Sequence, residues 1–155
     1  MNKRFKICLF HFLCLIGLEA LFELLIFDNY MRTTIFSILF FILPISLLIS
    51  LLTQVFKRKV SFILGILIYG FLGFWFSLEF IFKRVYQVFF SISLFQLTDQ
   101  VVAFGGNAIL AIIKNLPFVI LFFIPLILFI VFKNKLLVTR LKGKRLLIGI
   151  LTLIL

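Results

Sequence analysis

The chain alternates long apolar runs with short polar breaks that are mostly basic. Apolar residues dominate 7–27, 34–56, 60–82 and 113–132, and a last run, 146–155, follows a basic loop. An α-helix rises about 1.5 Å per residue and needs about twenty apolar residues to cross the hydrocarbon core. The first four runs therefore predict four transmembrane helices. The run at 146–155 is too short to cross and predicts only the opening of a fifth. Between the third and fourth spans, 85–112 mixes Phe, Val and Leu with Gln87, Ser91, Ser93, Gln96, Thr98, Asp99 and Gln100, and breaks at Gly105 and Gly106. It is too polar for a span and too apolar for a solvated loop, which predicts an amphipathic helical segment lying in the external interface, with a re-entrant segment as the competing picture. The expected fold is all-α and integral to the membrane: four transmembrane helices, a partial fifth, and that interfacial segment. No soluble domain and no internal repeat is visible.

Composition agrees. The chain is 65% hydrophobic and 24 of its 155 residues are Phe, whereas soluble chains are nearer half apolar. The net charge of +11 would raise the question of nucleic acid in a soluble protein. Here the cations fall between apolar runs, so the positive-inside rule and anionic lipid account for them and nucleic-acid binding is not expected. Lys3, Arg4 and Lys6, then Lys57, Arg58 and Lys59, then Lys133, Lys135, Arg140, Lys142, Lys144 and Arg145 all fall on one side of a four-span topology. Only Arg32, Lys83, Arg84 and Lys114 fall on the other. That asymmetry predicts a multi-pass plasma-membrane protein with a cytoplasmic N-terminus, so that the fifth helix and the C-terminus run outward. The basic start and apolar run resemble a signal peptide, but no small-residue cleavage site follows, and an uncleaved first helix is expected.

Several local features bear on packing. Pro44 lies near the middle of the second run and removes one helix hydrogen bond, which neighbouring helices can absorb. Gly73 and Ser77 have the small-x3-small spacing that lets another helix approach; a packing seam and ordinary glycine content are both open readings. Cys8, His11 and Cys14 form C-x2-H-x2-C in the first run. With no fourth donor or nearby acid, packed side chains are the expected role rather than a metal site. Cysteines inside a membrane run carry no information about a disulfide framework.

Ionisable groups inside spans are costly and usually face the protein interior. Glu19 and Glu23 are four residues apart on one helix face, and Glu79 precedes Lys83 at the same spacing, with Arg84 and Arg32 at a similar level. In the topology above they gather toward the outer ends of their helices. Two readings stand: contact of Glu19, Glu23, Glu79, Lys83 and Arg84 with a lipid head group or a lateral opening, or ion pairing that fixes helix register. Nothing resembles an enzyme centre. The chain has one His, and no Ser or Cys set beside a base. "FGGN" (104–107) lacks the strand, spacing and Lys of a phosphate-binding loop.

The third helix ending in "FIFKRVYQVFFSISLFQLTDQ", the continuation "VVAFGGNAILAIIKNLPFVILFFIPLILFIVF", the basic loop and the outward fifth helix resemble the N-terminal membrane domain of the lipoteichoic acid synthase family. These are sulfatase-like phosphoglycerol transferases of Gram-positive bacteria. "FFSISLFQ", with Gln100 shortly after, and "AILAIIKN" leading into the fourth helix carry the resemblance. It implies five helices followed by a linker and an extracellular α/β domain that transfers glycerol phosphate from phosphatidylglycerol through a Thr nucleophile and a manganese ion. No catalytic or metal position of that domain exists within 1–155, so no cofactor is expected in this chain, and coding sequence is expected to continue past Leu155. The implied partners are membrane lipids, phosphatidylglycerol among them. The competing expectation is a self-contained small membrane protein, a transporter subunit or a regulator working through a membrane-protein partner. For transport, no inverted repeat is visible.

Overall fold

The computed structural model describes residues 3–26, 32–87, 89, 110 and 112–137. The expected fifth helix at 146–155 lies outside these residues, as do almost all of the expected interfacial segment, Asp99 and the "FGGN" break.

The described chain is helical. Helix α1 is Lys3–Ile26, α2 is Arg32–Val55, α3 is Arg58–Tyr86, α4 is Leu116–Leu121 and α5 is Ile124–Leu136. Hydrocarbon offers no partner to a backbone N–H or C=O, so an apolar chain there must satisfy its own polar groups, and a helix does so within one segment. Four stretches are long and apolar enough to cross a membrane: Phe5–Ile26, Ile38–Val55, Arg58–Arg84 and Leu116–Leu136. The chain is a multi-pass membrane protein. Phe40, Phe41 and Phe71 expose 61% or more of their surface, which in water would be an association hazard and in lipid is the solvated state.

The helices extend past the apolar runs that define them. The first and third runs begin at 7 and 60, yet α1 starts at Lys3 and α3 at Arg58, and α3 continues to Tyr86 through Lys83 and Arg84. Lys and Arg are good helix formers, and in a last turn they oppose the negative end of the helix dipole. The C-cap of α3 is Gln87, in the left-handed region at φ 59°, where its N–H donates to the Lys83 carbonyl at 3.1 Å. The apolar run ending at 132 likewise continues as helix through Lys133 and Lys135 to Leu136. Only Phe56 and Lys57 join α2 to α3, so these helices form a tight hairpin.

The fourth span is two helices in series. Pro125 has no N–H to offer and its ring crowds the carbonyl four residues back. The chain therefore tightens at the break: the Phe122 N–H donates to the Val119 carbonyl and the Phe123 N–H to the Ile120 carbonyl, at 3.2 and 3.0 Å. Helical bonding resumes with Ile127 N–H donating to the Phe123 carbonyl at 3.1 Å.

The third helix is the organising element, in contact with α1, α2, α4 and α5, while α1 also touches α2 and α5. Three apolar clusters follow from this arrangement. Leu15, Ile42 and Ile49 join α1 to α2. Leu18, Phe22, Phe80, Ile81 and Phe122 fill the half of the bundle near the end of α1. Ile7, Tyr69, Phe129 and Leu136 fill the other half. Two glycines make the approach of the fourth span possible. A Cβ on Gly73 would lie 3.1 Å from the Phe122 carbonyl oxygen and 2.9 Å from the Phe123 ring, so the backbone break nests on it. A Cβ on Gly65 would run into the Phe129 ring. Ser77 closes the Gly73 seam on its own helix by donating to the Gly73 carbonyl at 2.6 Å.

Candidate functional site

Charge divides the bundle into two ends. Lys6, Lys57, Arg58, Lys59, Lys133 and Lys135 belong to the starts of α1 and α3, the α2–α3 connection and the end of α5, which the hairpin and the Ile7–Leu136 cluster bring to one end. The Arg58 guanidinium donates to the Asn134 side-chain carbonyl at 2.5 Å, tying the start of α3 to the end of α5. The Lys133 ammonium lies 5.2 Å from the centre of the Phe62 ring.

The opposite end holds the residues singled out from the sequence. Glu19 and Glu23, one turn apart on α1, are close enough to interact electrostatically. Both are half-buried beside Leu18 and Phe22, whose cluster includes Phe80 and Ile81 of α3. Glu79 is half-buried one residue before Phe80. The two cations of this end turn to aromatic faces and a carbonyl. Lys83 donates to the Gln87 carbonyl at 3.3 Å and stands 4.6 Å from the centre of the Phe89 ring. Arg84 lies 5.9 Å from the ring centres of both Phe80 and Phe118, so its guanidinium bridges α3 and α4. The fold thus brings Glu19, Glu23, Glu79, Lys83 and Arg84 to one end of one bundle. Three acids and two aromatic-held cations at one end of a membrane bundle can bind a zwitterionic or polyhydroxylated head group by charge and hydrogen bonding.

Sequence reasoning missed a polar centre in the basic half. His11 is 0% exposed and stacks on Tyr69, with ring centres 5.8 Å apart. Its Nδ1 is 2.6 Å from the Tyr69 hydroxyl and its Nε2 is 3.3 Å from Thr53 Oγ1. Thr53 Oγ1 donates onward to the Ile49 carbonyl at 2.9 Å. A threonine that donates there must accept from the imidazole, so the ring carries its proton on Nε2 and Nδ1 accepts from the tyrosine. The Cys14 thiol is hydrogen-bonded to the same tyrosine hydroxyl. One relay thus links α1, α2 and α3 with every member partnered, the condition under which a buried polar network rigidifies a core. The signal was present on α2: Ser46, Ser50, Thr53 and Gln54 fall on one helical face, all buried, and Gln54 donates to Ser50 Oγ at 2.8 Å.

The C-x2-H-x2-C spacing does not converge. Cys8 bonds to Ser46 on α2 while Cys14 bonds to Tyr69 on α3. Among the described residues, no three His, Cys, Asp or Glu side chains are grouped to hold a metal.

No family model, curated protein or solved structure matches the chain.

Replacing His11 with Leu keeps the bulk but leaves the Tyr69 hydroxyl without its acceptor. Interhelical hydrogen bonds in bilayers average about 0.6 kcal/mol and reach about 1.7, and the complete burial of this ring places the loss near the upper figure. Reversible unfolding by SDS from lipid–detergent micelles checks it. His11→Leu combined with Tyr69→Phe should lose less than the sum of the single losses, because both remove the same bond.

Proposed function

We propose that this chain is the membrane domain of a lipoteichoic acid synthase-like phosphoglycerol transferase, holding an extracellular catalytic domain against the outer leaflet. The observation that carries the reading is a four-span helical bundle with a strongly basic end and, at the other end, an acid-bearing cluster of Glu19, Glu23, Glu79, Lys83 and Arg84. The segments "FFSISLFQ" and "AILAIIKN" add to it. In this reading the basic end is cytoplasmic, 85–112 lies along the external interface, the run at 146–155 opens a fifth helix outward, and the acidic end faces the phosphatidylglycerol from which glycerol phosphate is taken. Glu19, Glu23 and Glu79 would accept hydrogen bonds from the glycerol hydroxyls, and Lys83 and Arg84 would offset the phosphate charge. The chemistry itself, with its Thr nucleophile and manganese, belongs to the extracellular domain.

Two tests follow. In intact cells, a membrane-impermeant maleimide should label Arg84→Cys and leave Lys59→Cys unlabelled until the membrane is opened; the reverse pattern would invert the topology. Deleting the locus should lower the glycerol phosphate polymer of the envelope. Unchanged polymer would remove the transferase reading and leave only the membrane fold.

A further inference from the structure

A groove runs between α1 and the fourth span. At the basic end it opens as a hollow of about 510 Å³ bordered by Lys6, Phe10, Phe132, Asn134 and Lys135. Phe10 and Phe132 meet edge to face with ring centres 6.3 Å apart. Beyond that pair the groove continues as a hollow of about 370 Å³ walled by Leu13, Gly17, Leu21, Ile124 and Leu128. Among the described residues, no acid borders either hollow. A Cβ on Gly17 would meet nothing within 4 Å, so the α1 wall is open there.

The two hollows differ in chemistry along the membrane normal. Lys6 immediately precedes the first apolar run, and Lys135 follows the end of the fourth, which places both ammonium groups at the depth of lipid head groups. Arg58, bonded to Asn134, adds a third cation behind the rim. From Lys6 to Gly17 the helix rises about 16 Å, close to the roughly 15 Å that one leaflet contributes to the hydrocarbon core. Basic pockets between transmembrane helices are where anionic head groups settle. An apolar peptide or a second helix would have to bury the two ammonium groups unpaired, whereas a phosphodiester with a hydrocarbon tail satisfies both parts.

We propose that this groove is a binding site for one anionic phospholipid of the bilayer, with its phosphate between Lys6, Lys135 and Asn134 and an acyl chain past Phe10 and Phe132 against Gly17. The site sits at the end of the bundle opposite the acidic cluster and does not depend on the transferase reading. The lipid is a wedge between α1 and α5, and its head group neutralises cations that would otherwise repel one another across the groove.

The test is native mass spectrometry of the full chain released from micelles, titrated with dioleoylphosphatidylglycerol or dioleoylphosphatidylcholine. A lysine near a head group contributes about fivefold in affinity, so the first phosphatidylglycerol should bind about 25-fold tighter than the first phosphatidylcholine. Lys6→Gln with Lys135→Gln should abolish that preference. Lys57→Gln with Lys59→Gln, which removes the same charge from the same end outside the groove, should keep it. Gly17→Phe, which fills the apolar hollow and leaves every charge in place, should weaken the first binding step for both lipids. Equal affinity for the two lipids, equal losses from the two lysine pairs, or an unchanged first step in Gly17→Phe would each overturn the proposal.

Discussion

Replacing Gly65 with Val should destabilise the bundle by about 3 kcal/mol, at the upper end of the cost of overpacking a core. The Cβ of any residue at 65 enters the space of the Phe129 ring. That ring has nowhere to go: it is 0% exposed, stacks on Phe62 with centres 6.2 Å apart and contacts Tyr69 at 5.5 Å and His11 at 6.4 Å. Accommodating valine therefore moves α5 away from α3 or pushes Tyr69 off His11, and either route disturbs the polar relay as well. SDS titration reads the loss of stability, and loss of the His11–Tyr69 contact should shift the tyrosine absorbance in the folded state. A Gly65→Val variant as stable as the parent would mean that α5 is not seated on α3 as described.

Phe129→Ala is the complementary case and should cost about 2 kcal/mol, less than the 3–5 typical of a buried Phe in a soluble core. The reason for the difference is the solvent. In water the lost side chain forfeits both its transfer free energy and its packing, but a membrane helix that separates from its neighbours leaves its side chains in hydrocarbon, so mainly the packing term remains. The cavity would open beside Gly65, Phe62 and Tyr69. Combining Phe129→Ala with Gly65→Val should recover part of either loss, because the new methyl groups fill the vacated ring space. Additive losses in that double variant would contradict the contact.

These two predictions rest on a feature only partly legible in the sequence. Four spans could be read directly, because an uninterrupted apolar run of membrane length has few alternatives to a helix. The ends were less legible, since Lys and Arg next to a run can either terminate a helix or decorate its last turn, and at Lys83 and Lys133 they do the second. Pro125 was visible inside the fourth run, but whether a proline kinks a helix or divides it depends on what receives the freed carbonyls. Here Gly73 leaves room for the tightened backbone at Phe122 and Phe123.

The Gly73 and Ser77 spacing marks a place for backbone approach in the sequence, whereas the role of Gly65 emerges only with the Phe129 ring packed on it. Small-x3-small patterns report helix against helix; a glycine that admits a phenyl ring has no spacing rule, because its partner is chosen by tertiary packing. His11 was obscured for a similar reason. Its neighbours at three-residue spacing are cysteines with no fourth donor, which predicts only packed side chains, and its hydrogen-bond partners are 42 and 58 residues away in sequence. The acidic end was legible because charged groups within apolar runs stand out whatever their partners.

The proposal that the bundle anchors an extracellular phosphoglycerol transferase domain is tested by sequencing genomic DNA and transcript beyond the Leu155 codon. Under that proposal the reading frame continues, directly or after a frameshift, through a fifth helix into an extracellular domain with a nucleophilic Thr among clustered Asp, Glu and His. A stop codon followed by an unrelated gene would contradict it, and the bundle would then stand as a membrane protein in its own right.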